Sequence, residues 1–142
     1  MLYADTSFLA SLYLLDANTH HAQSCLPQEG ALFLTPFGQL ELSNAIRLAL
    51  FRGQINPSQQ QAAEKLIEKD LQSGWLSLVA VGWSDVLVQA ESLSSDYTAR
   101  IGCRTLDILH VALAKILSVD GFLTFDNRQA ELARKAKLKV IP

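Results

Sequence analysis

Four carboxylates stand where charge is out of place: Asp5 after the apolar "LYA", Glu41 in "QLELSNAI", Asp107 in "TLDILHVALA" and Asp126 after "FLTF". Burying an uncompensated carboxylate is costly, and several in one pocket raise each other's proton affinity until some are neutralised. A bound divalent cation removes that penalty. Mg²⁺ and Mn²⁺ prefer oxygen ligands, so an acid set without histidine or cysteine suits them rather than zinc. Two such ions roughly 3.5 to 4 Å apart can clamp the attacking and leaving oxygens of a phosphodiester while activating a water. The chemistry expected of Asp5, Glu41, Asp107 and Asp126 is metal-assisted hydrolysis.

Each acid also has a blander reading. Asp126 with Gln129 fits a capping box, and Asp5 before Thr6 and Ser7 fits an Asx turn. Glu41 and Asp107 sit in helices that read as apolar nearly all round and have no capping explanation; for them the bland reading is a half-exposed helix flank. None of the four is expected to sit in a helix-surface ion pair, unlike Glu64, Glu68 and Glu131. All four must be bland together for the pocket to vanish. His110 reads as a histidine of the core, or one that supports a ligand from behind, rather than a ligand itself, His20 and His21 as solvent-exposed, and Leu12, Tyr13 and Trp83 as packing residues rather than base-stacking platforms. No Gly-rich phosphate loop, GxSxG elbow or catalytically spaced Cys/His pair is present.

The elements that must position these acids alternate. "LYA" reads as a short strand entering Asp5, with a helix after Thr6; "ALFLT" (31–35) is a second strand, and Pro36 opens a helix through about Arg52, ended by Gly53. Asn56 and Pro57 begin a helix to about Ser73 with Ala63, Leu66, Ile67 and Leu71 on its apolar face. "LSLVAV" (76–81) is a third strand, followed by helices from about Ser84 and over Thr105–Leu117. "GFLTF" (121–125) is a fourth, followed by a helix over Asn127–Lys135, and "LKVI" is a short last strand. Strands separated by helices imply crossovers and a parallel sheet covered on both faces. The fold class expected is α/β, a three-layer α/β/α sandwich with a parallel sheet of four to five strands. Ligands in such sheets bind beyond the carboxyl ends of the strands, where Asp5 and Asp126 lie.

Composition bounds the rest. A chain of 142 residues fits a single domain, 1–142, and can bury roughly two thirds of its unfolded surface. Charged residues make up 18% and the apolar set 49%, without a low-complexity tract. Cys25 and Cys103 form no CxxC pair, no secretory leader is apparent, and no apolar run approaches the roughly 20 residues of a membrane span. A cytoplasmic protein with reduced thiols and no membrane association is expected. The net charge of −2 argues against bulk electrostatic coating of nucleic acid. A polyanion would instead need basic residues on the pocket rim, and Arg47, Arg104 and Arg128 are the best placed.

The four acids in this order, with "ADTS" closing the first strand, "ELSNAIR", "LDILHVALA" and "LTFDNRQAELA", resemble the PIN-domain nucleases, especially toxin ribonucleases of the VapC kind, over essentially the whole chain. The resemblance implies a PIN α/β/α fold in which Asp5, Glu41, Asp107 and Asp126 bind Mg²⁺ or Mn²⁺, with Thr6 and Asn127 supporting the acids or touching metal-bound water. It implies an RNA substrate, a homodimer and, in the toxin branch, a small antitoxin that holds the nuclease inactive. A PIN nuclease of RNA processing or DNA cleavage and a nonenzymatic PIN-like binding module are the nearest rivals. A phospho-acceptor receiver domain is remote, because it needs paired acids after the first strand and Thr6 and Ser7 stand there instead.

Overall fold

The structure, a computed structural model, describes residues 1–26 and 31–141. Short strands and helices alternate as the apolar periods require. The strands are β1 (Leu2–Ala4), β2 (Leu32–Leu34), β3 (Leu76–Leu78), β4 (Gly121–Leu123) and β5 (Val140–Ile141), and they form one sheet in the order β3-β2-β1-β4-β5. The β1–β4, β4–β5 and β2–β3 pairings are all parallel. The α/β class with a parallel sheet of four to five strands is borne out. Internal contacts divide the chain into two compact units, Met1–Asp5 with Ala80–Pro142, and Thr6–Val79.

The first unit carries β1, β4 and β5 with α5 (Trp83–Leu93), α6 (Ala99–Ile101), α7 (Thr105–Ile116) and α8 (Asn127–Lys135). Its core is Tyr3, Phe122 and Leu123 from the strands with Val111, Leu113 and Leu132 from the helices, all of them fully buried. Gly121 permits the tight β4 approach: a Cβ there would lie 2.7 Å from both Ile141 Cδ1 and Leu2 Cδ2. Between α5 and α6 the chain makes a π-helical turn at Ser94–Thr98 that the sequence periods did not indicate. Trp83, expected to pack, opens α5 with 40% of its surface exposed.

The second unit carries β2 and β3 with α1 (Thr6–Tyr13), α2 (Thr19–Ser24), α3 (Pro36–Phe51) and α4 (Pro57–Ser73). Its helix ends follow local chemistry. Thr35 accepts the Gly38 N–H ahead of Pro36, Asn56 and Gln59 form a complete capping box, and Gly74 closes α4 at φ +77°. Although α3 reads as apolar nearly all round, its apolar residues are not all covered: Leu42, Ile46 and Ala49 are buried, but Leu40 and Phe51 are 66% and 87% exposed. Among the described residues, no helix is long and apolar enough to cross a membrane.

Candidate active site

Parallel pairing sets the first two acids. With Ala4 in register with Leu123, the chain leaves β1 at Asp5 and β4 at Thr124 side by side, and the Asp5 N–H donates to the Leu123 carbonyl at 3.0 Å. The Thr124 hydroxyl donates to Asp5 Oδ2 at 2.6 Å and accepts the Asp126 backbone N–H at 2.9 Å. Asp5 is 1% exposed and Thr124 3%. One buried hydroxyl thus ties the Asp5 carboxylate to the backbone that carries Asp126. Sequence reading gave Thr124 no role.

Asp126 does cap a helix. Its Oδ1 accepts the Gln129 N–H at 2.9 Å at the start of α8. The return half of the expected box is missing, because the Asp126 N–H goes to Thr124; among the described residues, Gln129 Oε1 is the buried side-chain acceptor without a hydrogen-bond partner. Capping occupies one oxygen only. The other, Oδ2, lies 4.0 Å from Nη2 of Arg104.

Asp107 overturns two expectations. It occupies the third position of α7, where its Oδ2 accepts the Arg104 backbone N–H at 3.0 Å, so it does support a helix start. The same oxygen accepts Arg104 Nε at 3.2 Å, so an ion pair is present after all, from the basic residue three positions before it. Asp107 is buried while the Arg104 side chain is 75% exposed, so water screens the pair and it adds little to stability. The Arg104 guanidinium is held more firmly protonated, first by its hydrogen bond to Asp107, then by that charge and the charge of Asp126. Burial pushes the Cys103 thiol up, and the charges of Asp107 and Asp126 add to it. The fields of these two acids overlap on one short stretch.

Glu41 belongs to the second unit. It is half-buried on α3, and its Oε2 accepts the Thr6 hydroxyl at 2.9 Å. Arg47, on the same helix, is exposed and lines a cleft with Gln39, Ser43, Glu64 and Glu68. In the first unit Asn127 and Arg128 are exposed at the start of α8, and Arg128 Nη1 donates to the Gly102 carbonyl at 3.5 Å.

Among the described residues, no group of three or more His, Cys, Asp or Glu side chains is arranged to hold a metal ion. Mg²⁺ needs no such cage: it keeps several waters and takes one or two carboxylates from a protein. Asp107 and Asp126 already face one cation, the Arg104 guanidinium, and offer it oxygen alone. The donor chemistry fits Mg²⁺ or Mn²⁺.

Thr124→Val tests the link between the acids. It keeps the side-chain volume but removes the hydroxyl that donates to the buried Asp5 carboxylate and accepts the Asp126 N–H. A loss of about 2 to 3 kcal/mol in chemical-denaturation midpoints, read with an unchanged slope, is expected.

A family profile described as PIN domain matches residues 2–135. No protein of curated function matches the chain in sequence. Among solved structures, it resembles VapC20 of Mycobacterium tuberculosis, described as a sarcin-ricin-loop-cleaving toxin, with a TM-score of 0.70 and 18% identity over 100% of both chains. It also resembles FitAcB from Neisseria gonorrhoeae, with a TM-score of 0.63 and 17% identity over 100% of this chain and 97% of that one.

Proposed function

Because the chain belongs to the PIN domain family, we propose that it is a divalent-metal-dependent endoribonuclease, the toxin of a toxin–antitoxin pair, acting as a single PIN domain over residues 1–142. The observation that carries this reading is the linkage of three acids at one sheet edge: Thr124 joins Asp5 to Asp126, and Arg104 lies against Asp107 and Asp126. Asp5, Asp107 and Asp126, with Glu41 as the fourth acid, would hold Mg²⁺ or Mn²⁺. When bound, such an ion neutralises the carboxylates, polarises the phosphoryl oxygen and makes a water nucleophilic at neutral pH.

The remaining roles fall to this chain's own side chains. Thr124 fixes the Asp5 carboxylate by a short charge-assisted hydrogen bond, and the Thr6 hydroxyl donates to Glu41 at an ordinary 2.9 Å. Asn127, exposed beside Asp126, would touch water in the site. Arg104 holds Asp107 and Asp126 through its guanidinium, which can exchange a carboxylate for an RNA phosphate without losing its charge. Arg128 would extend the phosphate track, and Arg47 would reach RNA only from its cleft on α3.

The protein is proposed to work in the cytoplasm as a homodimer that covers the exposed Leu40 and Phe51 of α3. VapC20 is described as a toxin, and that supports an antitoxin partner here. Such a partner would inhibit most simply by presenting an arginine or lysine to the acids, so inhibitor and metal should compete. The decisive experiment incubates purified protein with mixed cellular RNAs in Mg²⁺, Mn²⁺ or EDTA. Cleavage in either metal and none in EDTA is expected; metal-independent cleavage, or none at all, overturns the reading.

A further inference from the structure

Behind the acids lies a buried polar contact that the proposed chemistry does not use. The Tyr3 hydroxyl and His110 Nδ1 lie 2.8 Å apart and share a hydrogen bond, with 107 residues between them in sequence. The Tyr3 ring stacks on Phe122, with centroids 5.9 Å apart and planes 9° from parallel, and meets the His110 imidazole edge-on at 5.8 Å. Tyr3, His110 and Phe122 are each at most 3% exposed. Water cannot replace this bond, so it is costly to leave unmade.

Its place in the register gives it a consequence. Side chains two apart on a strand share a face, so Tyr3 projects on the same side as Asp5, and Phe122 on the same side as Thr124. The pairing of Tyr3 with Phe122 and the Thr124–Asp5 hydrogen bond agree with that. Residues three apart on a helix also share a face, so His110 lies one turn along α7 from Asp107. The Tyr3–His110 contact therefore joins the strand of Asp5 to the helix of Asp107, one step behind both carboxylates. Apolar packing alone tolerates small slides of a helix over a sheet, whereas a hydrogen bond has a set direction and length.

We propose that Tyr3 and His110 are positioning residues whose hydrogen bond sets the spacing of Asp5 and Asp107 for a divalent cation. The inference rests on the metal-binding reading above. Neither residue would touch the metal; each acts through the acid that follows or precedes it on its own element. Partners hydrogen-bonded directly to a ligand typically account for about 10-fold to 100-fold in metal affinity, and Tyr3 and His110 act one step further out, so the low end of that range applies.

Mn²⁺ titration calorimetry on the full chain, without RNA, supplies the test. Tyr3→Phe, which keeps the stacked ring and removes only the hydroxyl, should weaken Mn²⁺ binding by about ten-fold. His110→Leu should do the same, while His110→Asn, whose amide stands near the position of Nδ1, should recover most of the affinity. Thermal melts in EDTA must show each variant folded. Mn²⁺ affinity within two-fold of wild type in folded Tyr3→Phe and His110→Leu overturns the positioning role, and so does loss of folding in both. Wild-type protein that binds no Mn²⁺ overturns the metal reading itself, a separate failure visible before any variant is made.

Discussion

Asp5→Asn protein is expected to lose RNA cleavage by at least about a thousand-fold, or about 4 kcal/mol of transition-state stabilisation, while staying folded in EDTA. Asparagine has the shape of aspartate and still offers an oxygen to the Thr124 hydroxyl, so the buried hydrogen bond survives in weaker, neutral form. That weakening costs about 1 kcal/mol. Removing a negative charge from a network that includes Asp107 and Asp126 relieves repulsion of comparable size. Stability in EDTA should therefore stay within about 2 to 4 °C of wild type, while catalysis collapses because asparagine cannot supply the charge that holds a divalent ion. A variant that melts far below wild type in EDTA would make Asp5 a structural residue. One that cleaves at the wild-type rate would remove it from the site.

The acids were legible in the sequence because each interrupts an apolar period, and a period is a property of a few neighbouring residues. "LYAD" and "FLTFD" both read as strands that end on a carboxylate before a helix, and β1, β4 and α8 lie where those stretches predict. What escaped depends on pairings between distant residues. A threonine in "FLTF" is an ordinary strand former until parallel register sets it beside Asp5, 119 positions away. Tyr3 and His110 are likewise unremarkable core residues until β1 meets α7. The Arg104–Asp107 pair is different: its spacing of three was visible in the sequence and Arg104 was placed on the rim, but the pairing escaped because the apolar residues around Asp107 suggested a carboxylate without a cation. The exposed α3 face could not be read either, since apolar composition shows that a surface prefers to be covered and not by what.

Asp126 separates capping from chemistry, because its two oxygens have different tasks. Oδ1 caps α8 through the Gln129 N–H, and Oδ2 faces Arg104. Asn and Asp are equivalent N-caps, so Asp126→Asn preserves the helix start while removing the charge. Asp126→Ala removes both, and the lost cap alone costs about 1 kcal/mol, or about 2 to 4 °C in melting temperature. If the carboxylate holds a metal, the two variants should lose cleavage equally, by a hundred-fold or more at about 1.4 kcal/mol per decade, although only the alanine protein is less stable. If capping is its whole contribution, activity should follow stability: Asp126→Asn would cleave like wild type, and Asp126→Ala would recover at lower temperature. Cleavage rates measured well below both melting points, beside melts in EDTA, separate the two cases. Equal melting of all three proteins would show that the Gln129 N–H finds another acceptor when the cap is gone; among the described residues Gln129 Oε1 is already buried without a partner, so α8 begins with one hydrogen bond unmade and that outcome is the less favourable one.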